Sequence, residues 1–274
     1  MAKNLQEPLL VSDIEQGISL QPICQDLAKI FPFLINSFNI RHVIQLNSLT
    51  FFISFLNFLI FFLLLFIYCE NPLDLQLSVQ ILVDFGAKVP YFIRKGEVWR
   101  LLTANFLHLN FFHLFSNLTI LILLGSGLEK VLGKLNFSIL YLSSGVMGFL
   151  FSCLGYKYIS VGASGAIFGI LAVYLAYFLI NYKELEQFPF IKFSFWLFII
   201  GIFVSNLIFE LIYWEIMDHF NHLGGFLNGF LLGITIIKPY IYTTLKKRLK
   251  IASFLSVLAL FITTFIIFSY FLSS

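Results

Sequence analysis

The sequence predicts an all-α fold, a polytopic membrane helical bundle, on three observations. The 274 residues are 59% hydrophobic and only 11% charged, against about 25% charged in soluble domains. Apolar runs such as Leu49–Tyr68 and Ile251–Phe271 are each about 20 residues, enough to cross a hydrocarbon core of ~30 Å. Small residues also recur at helical spacing in Ser164–Ile180 and Phe220–Ile237, as expected where membrane helices pack closely. Backbone groups in lipid must be satisfied within the segment, so the spans are helices.

Seven spans are expected: Leu49–Tyr68, Phe111–Leu128, Phe137–Leu154, Ser164–Ile180, Phe193–Trp214, Phe220–Ile237 and Ile251–Phe271. The first 46 residues mix charge and polarity, with no short apolar stretch near Met1, so the first span is expected to be retained. Acidic residues in this tail argue against a mitochondrial or plastid transit segment. Placing the N-terminus in the cytosol puts twelve Lys and Arg on the cytosolic side and five outside, which is the favoured orientation. The strongest vote is the cluster Lys246–Lys250, expected in a short loop. Residues 69–110 form a long, half-apolar outer loop. The net charge of +3 implies no nucleic-acid partner.

Polar groups inside a membrane are functional candidates by default. Those here are His113, Asn117, Ser164, Glu210, His222 and Asn228. Gly162-Ala163-Ser164-Gly165 alone is a weak signal, since Gly-x-Ser-Gly also suits helix packing. His222 adds the base that a serine hydroxyl needs. Two crossings separate Ser164 from His222, so both lie at the outer ends of their helices. Gly165, Gly169, Ala172 and Ala176 form one smooth stripe, and Gly225, Gly229 and Gly233 another, with His222 one turn above Gly225. Apposing these stripes would bring Ser164 to His222 as a nucleophile–base dyad.

His113 and Asn117, four residues apart, share a helix face and can donate to a developing oxyanion. Their alternative role is interhelical hydrogen bonding. Asp218, four residues before His222, is read as a solvated loop acid in preference to a third triad member. Cys24, Cys69 and Cys153 show no metal spacing, and His108, His219 and His222 form no metal motif. No metal and no cofactor are expected. Cys69 and Cys153 fall on one side in this topology, where pairing or isolated packing are both open.

These residues resemble rhomboid intramembrane serine proteases. The resemblance runs through Gly86-Ala87, Gly96-Glu97-Val98-Trp99-Arg100, His113-Leu114-Phe115-Ser116-Asn117, Leu128-Glu129-Lys130-Val131-Leu132-Gly133, Gly162-Ala163-Ser164-Gly165 and His222-Leu223-Gly224-Gly225, with Gly229 and Gly233 following. It implies that Ser164 is the nucleophile, His222 its base, and His113 with Asn117 the oxyanion pair. Gly162 matches the loop glycine before the serine, and Trp99-Arg100 the structural motif of the first outer loop. Phe168 matches the aromatic position against the histidine, where some bacterial members carry tyrosine. No third acid is required. A span after the six-helix core is similar to the eukaryotic secretase subtype.

Three segments follow: a polar cytosolic tail, residues 1–46; a rhomboid-like six-helix core, 47–240; and a basic loop with a seventh helix, 241–274. The implied activity is hydrolysis of peptide bonds in or near the transmembrane segments of single-span proteins. The site would face the lumen or exterior, in a secretory-pathway or plasma membrane. The alternative is a silent client-binding or transport-type bundle. The orientation is checked by glycosylation mapping. An acceptor inserted near Asp74 becomes modified and one at Lys246–Lys250 does not; the reverse pattern inverts the topology.

Overall fold

A buried carboxylate helps to start the first long helix. The computed structural model describes residues 46–69, 71–155, 158–186 and 217–273, with residue 25 and residues 189–190, 192–194, 196–197, 200–201 and 204. Helix α1 spans Leu49–Tyr68, with Ser48 as N-cap accepting from Phe51 N. Glu129 Oε1 accepts from Leu49 N at 2.8 Å, and Oε2 from Thr50 N at 2.8 Å and Thr50 Oγ1 at 2.7 Å. A helix leaves its first N–H groups without intrahelical acceptors. A carboxylate there satisfies them and complements the helix dipole.

Short helices follow in the long connection: α2 at Val79–Asp84, α3 at Pro90–Arg94 and α4 at Arg100–Thr103. Arg100 is the tie among them. Its guanidinium donates to Val83 O at 2.6 Å and Ala87 O at 3.1 Å, pairs with Glu97 at 2.6 Å, and lies 4.8 Å from the Phe92 ring centre. This one side chain adds donors to the carbonyls of Val83, at the end of α2, and of Ala87 beyond it. Gly86 has φ +98°, and an added Cβ would strike Thr103, whose hydroxyl donates to Gly86 O at 2.7 Å. The connection is thus a folded layer of short helices.

Helix α5, Phe111–Leu132, is capped by Asn110, whose side chain accepts from His113 N. It passes through a π-helical stretch, Leu121–Gly125. Such stretches disturb the regular ladder, and here Tyr174 Oη donates to Leu124 O at 2.7 Å. Helix α6 is Lys134–Gly155, α7 is Ser164–Ile180, α8 is Tyr182–Leu185, α9 is His219–Ile236 and α10 is Thr244–Ser273. Among the described residues, four stretches are long and apolar enough to cross a membrane, Leu49–Tyr68, Phe111–Leu132, Lys134–Gly155 and Thr244–Tyr270, and Ser164–Ile180 is a shorter apolar helix. The expected span Phe193–Trp214 lies largely outside the described residues, as do Cys24 and Glu210. Among the described residues there is no strand, only the isolated antiparallel bridges Gln76–Asn110 and Lys88–Ser160.

One expectation is corrected. Lys246–Lys250 is not in a loop but in the first turns of α10. Lys, Arg and Leu are good helix formers, and local partners hold them in place. Lys246 pairs with Glu184 at 2.6 Å, and Lys250 Nζ donates to Ile237 O, just past the end of α9, at 2.6 Å. Cys69 and Cys153 are both free thiols.

The centre of the bundle is α6, α7 and α9. A Cβ on Gly225 would collide with the Gly165 carbonyl, and one on Gly229 with Gly169 backbone. Asn228 bridges to Ser143 Oγ at 3.0 Å and Ser144 Oγ at 3.1 Å on α6. At Gly233 the nearest atom to an added Cβ is the Ala176 methyl at 3.0 Å, followed by Val173. Gly229→Ala is therefore expected to lower the melting temperature in detergent more than Gly233→Ala. The first meets unyielding backbone, with a loss on the order of 1–3 kcal/mol. Equal melting temperatures would show that the α7–α9 seam tolerates separation.

Candidate active site

The α7–α9 seam ends at two polar side chains. Ser164 is the first residue of α7, and His222 lies in the first turn of α9. His222 Nε2 is 3.0 Å from Ser164 Oγ, within hydrogen-bond distance. The imidazole is buried and lies flat against Phe168, with ring centres 4.2 Å apart and planes 12° from parallel. Stacking restricts rotation of the imidazole, and the seam sets its depth relative to the serine. Either atom can donate in this contact, the direction following the imidazole tautomer.

His113 and Asn117 project from α5 toward the turn before Ser164. Gly162 has φ +122°, and a Cβ there would lie 2.7 Å from the His113 ring and 3.4 Å from Asn117 Nδ2. Glycine is required twice here, for the backbone angle and for the ring's approach. Gly162 N donates to Ala104 O at 2.9 Å. Asn117 Nδ2 is buried with no hydrogen-bond partner among the described residues. An unsatisfied buried donor is costly; this one is directed at the space over the Gly162–Ser164 turn. First-turn N–H groups of α7, Ser164 N–H among them, have no intrahelical acceptor and add positive potential there.

The segment before Gly162 is held from the side. Lys88 N donates to Ser160 O and Ser160 N to Lys88 O, both at 3.0 Å. Lys88 Nζ is buried and donates to Tyr158 O at 3.1 Å. Burial pushes the Lys88 ammonium pKa down, while Asp218 and Cys153 act to raise it. Arg100 anchors the folded layer that carries Lys88. Trp99 is 55% exposed, so its indole sits on the surface of that layer, and its carbonyl accepts from Thr103 N at 2.9 Å.

Residues 95–239 match the family model described as the Rhomboid domain, just over half of the chain. The chain belongs to the rhomboid family. It is 41% identical over 173 residues to RHOMBOID-like protein 1 of Arabidopsis thaliana, covering 62% of this chain and 43% of that one. It is 34% identical over 167 residues to Rhomboid-like protease 1 of Toxoplasma gondii, covering 60% and 56%. Rhomboid protease GluP of Bacillus subtilis (strain 168) is 36% identical over 162 residues, covering 59% and 31%. The chain spans about half the length of the curated relatives it matches. The apolar helices and the family together make it an integral membrane protein.

In this rhomboid, Asp218 is neither a solvated loop acid nor a partner of the imidazole. It is 7% exposed and caps α9, accepting from Asn221 N at 3.0 Å, and its other oxygen accepts from Ser152 Oγ. The chain reverses into α9 there, and an N-cap acceptor removes an orphan donor. His108, weighed in the sequence only as a metal ligand, is fully buried with its ring centre 5.2 Å from His113. Burial, with His113 adding to it, holds the His108 pKa well below the usual imidazole value. Glu129 and Asn221 were missed by sequence reasoning. Their partners come from α1 and α7, far away in the chain.

The contact between Gly162 and His113 is testable by a double-mutant cycle. Gly162→Ala should destabilise the protein through both backbone strain and the clash with the ring. Adding His113→Ala should recover part of that loss, with a coupling on the order of 1 kcal/mol. Strict additivity of the two melting-temperature shifts would mean that the ring can move aside freely.

Proposed function

We propose that this chain is an intramembrane serine endopeptidase that hydrolyses peptide bonds in or near the transmembrane segments of single-span proteins. The observation that carries the reading is the 3.0 Å approach of His222 Nε2 to Ser164 Oγ beside an unpartnered, buried Asn117 amide. Ser164 Oγ attacks the scissile carbonyl while His222 Nε2 takes its proton. The carbonyl oxygen gains negative charge and is met by Asn117 Nδ2, the His113 ring and the Ser164 N–H. The imidazolium then protonates the leaving amine. Water, deprotonated by the same imidazole, releases the acyl-enzyme.

A helical substrate hides its carbonyls, so it must unwind before attack. Strand alternation directs the N–H and C=O groups of Ile159 and Val161 away from Lys88. That edge suits pairing with an unwound substrate segment. In this reading residues 47–240 form the catalytic unit, 1–46 a cytosolic tail and 241–274 an accessory helix. Lys246–Lys250 remains beside the end of α10, so its weight in orienting the chain is kept. The N-terminus is then cytosolic and Ser164 faces the lumen or exterior of a secretory-pathway or plasma membrane.

The test uses purified full chain in liposomes with a tagged synthetic single-span peptide. Ser164→Ala and His222→Ala should each abolish cleavage, and the double variant should be no worse than either, because the pair acts as a unit. Ser164 should react with a fluorophosphonate in the parent alone. His113→Ala and Asn117→Ala should lower kcat by about 10²–10³-fold with KM nearly unchanged. Sustained turnover by Ser164→Ala would sink the serine mechanism. Normal kcat with depressed melting in the His113 and Asn117 variants would reduce that pair to helix packing.

A further inference from the structure

One polar side chain touches the serine oxygen and has no part in the scheme above. Asn221 immediately precedes His222 and is 1% exposed. Its Nδ2 lies 3.5 Å from Ser164 Oγ. That is the long end of the hydrogen-bond range, where contacts in free enzymes often sit before substrate tightens them.

The amide has little freedom. An added Cβ on Gly148 of α6 or Gly165 of α7 would collide with Asn221 Oδ1. The oxygen therefore occupies a slot that only two glycines leave open, against their Cα hydrogens. Among the described residues it has no conventional donor, and glycine Cα–H groups are weak donors that suit an oxygen. The opposite amide orientation would press N–H hydrogens against Cα hydrogens. The slot thus selects the orientation with Nδ2 toward the serine. Asp218 fixes the other end, accepting from Asn221 N at 3.0 Å.

The geometry points to Asn221 as a third polar group of the site, a hydrogen-bond donor to Ser164 Oγ that turns the serine proton toward His222. Serine oxygen has two acceptor lone pairs and one proton. With one lone pair taken by Asn221 Nδ2, the O–H is left to donate to Nε2, and the donor stabilises the oxygen as it loses that proton. Asn221 acts on the nucleophile itself, and the His113–Asn117 pair on the carbonyl oxygen. The inference rests on the proposed role of Ser164.

The experiment measures the rate of fluorophosphonate labelling of the full chain in liposomes, with kcat and KM for the single-span peptide and thermal melting alongside. Asn221→Ala should label about tenfold more slowly and lose kcat to match, the equivalent of one ordinary hydrogen bond, with KM within about twofold. Asn221→Asp keeps the shape but replaces the donor with an acceptor that competes for the serine proton, so it should fall below Asn221→Ala. A packing role would give the reverse order, because the isosteric residue fills the slot. Parental labelling and kcat in Asn221→Ala, or Asn221→Asp faster than Asn221→Ala, overturns the assignment while leaving Ser164 as nucleophile. Should Asn221→Asp fail to melt cooperatively, the Asn221→Ala rates decide. A parent chain that does not label at Ser164 overturns both readings.

Discussion

The Ser164 end of the molecule depends on how closely two helix backbones approach. Along the α7–α9 seam, Gly225 lies against the Gly165 carbonyl and Gly229 against Gly169, with no room for a Cβ at either contact. In lipid, helix association gains little from burying apolar surface, and packing of small residues takes over. Because α7 begins at Ser164 and α9 one turn before His222, a seam closed along its length brings the two side chains to one level. An ångström of separation would lengthen the 3.0 Å contact beyond hydrogen-bond distance.

The second constraint is the cost of polar groups where water is scarce. Several are answered by side chains from other elements or by caps. Glu129 of α5 closes the start of α1, Arg100 collects two carbonyls of the folded layer, Asp218 caps α9, and Asn228 links α9 to two serines of α6. Buried polar networks are stabilising only when their members are paired. Asn117 Nδ2 and Asn221 Oδ1 are among the buried polar atoms left without a hydrogen-bond partner among the described residues, and the first of these faces the Gly162 turn. The two loops beside the site are also joined. The Lys88–Ser160 bridge and the Lys88 ammonium on Tyr158 O hold the segment before Gly162 to the folded layer.

Much of the architecture could be read directly from the residue order. Lipid demands long apolar runs, so Leu49–Tyr68 and the last helix announce themselves by length and composition. Glycine spacing on α7 and α9 was enough to expect Ser164 beside His222, as a matter of proximity rather than role. Motif order carried the family, and Gly162 was flagged by its place before the serine. Less legible were elements whose partners lie far off in sequence. Glu129 meets Thr50 across 79 positions, and Asn221 meets Ser164 across 57. The Lys246–Lys250 cluster was misplaced in a loop, because charge marks the membrane boundary without saying whether the helix stops there.

What the sequence determined alone was the class of environment each segment occupies, since hydropathy and the 3.6-residue period are local properties of the chain. Those properties decide which stretches are long and apolar enough to cross a bilayer and which faces are smooth enough to touch. Only the tertiary structure decided what the polar groups do. It made Asp218 a buried cap, lodged the Asn221 oxygen between two glycines, and set the Gly162 turn under His113. Each of these depends on distances of about 3 Å between elements remote in the chain, to which helical periodicity carries no reference.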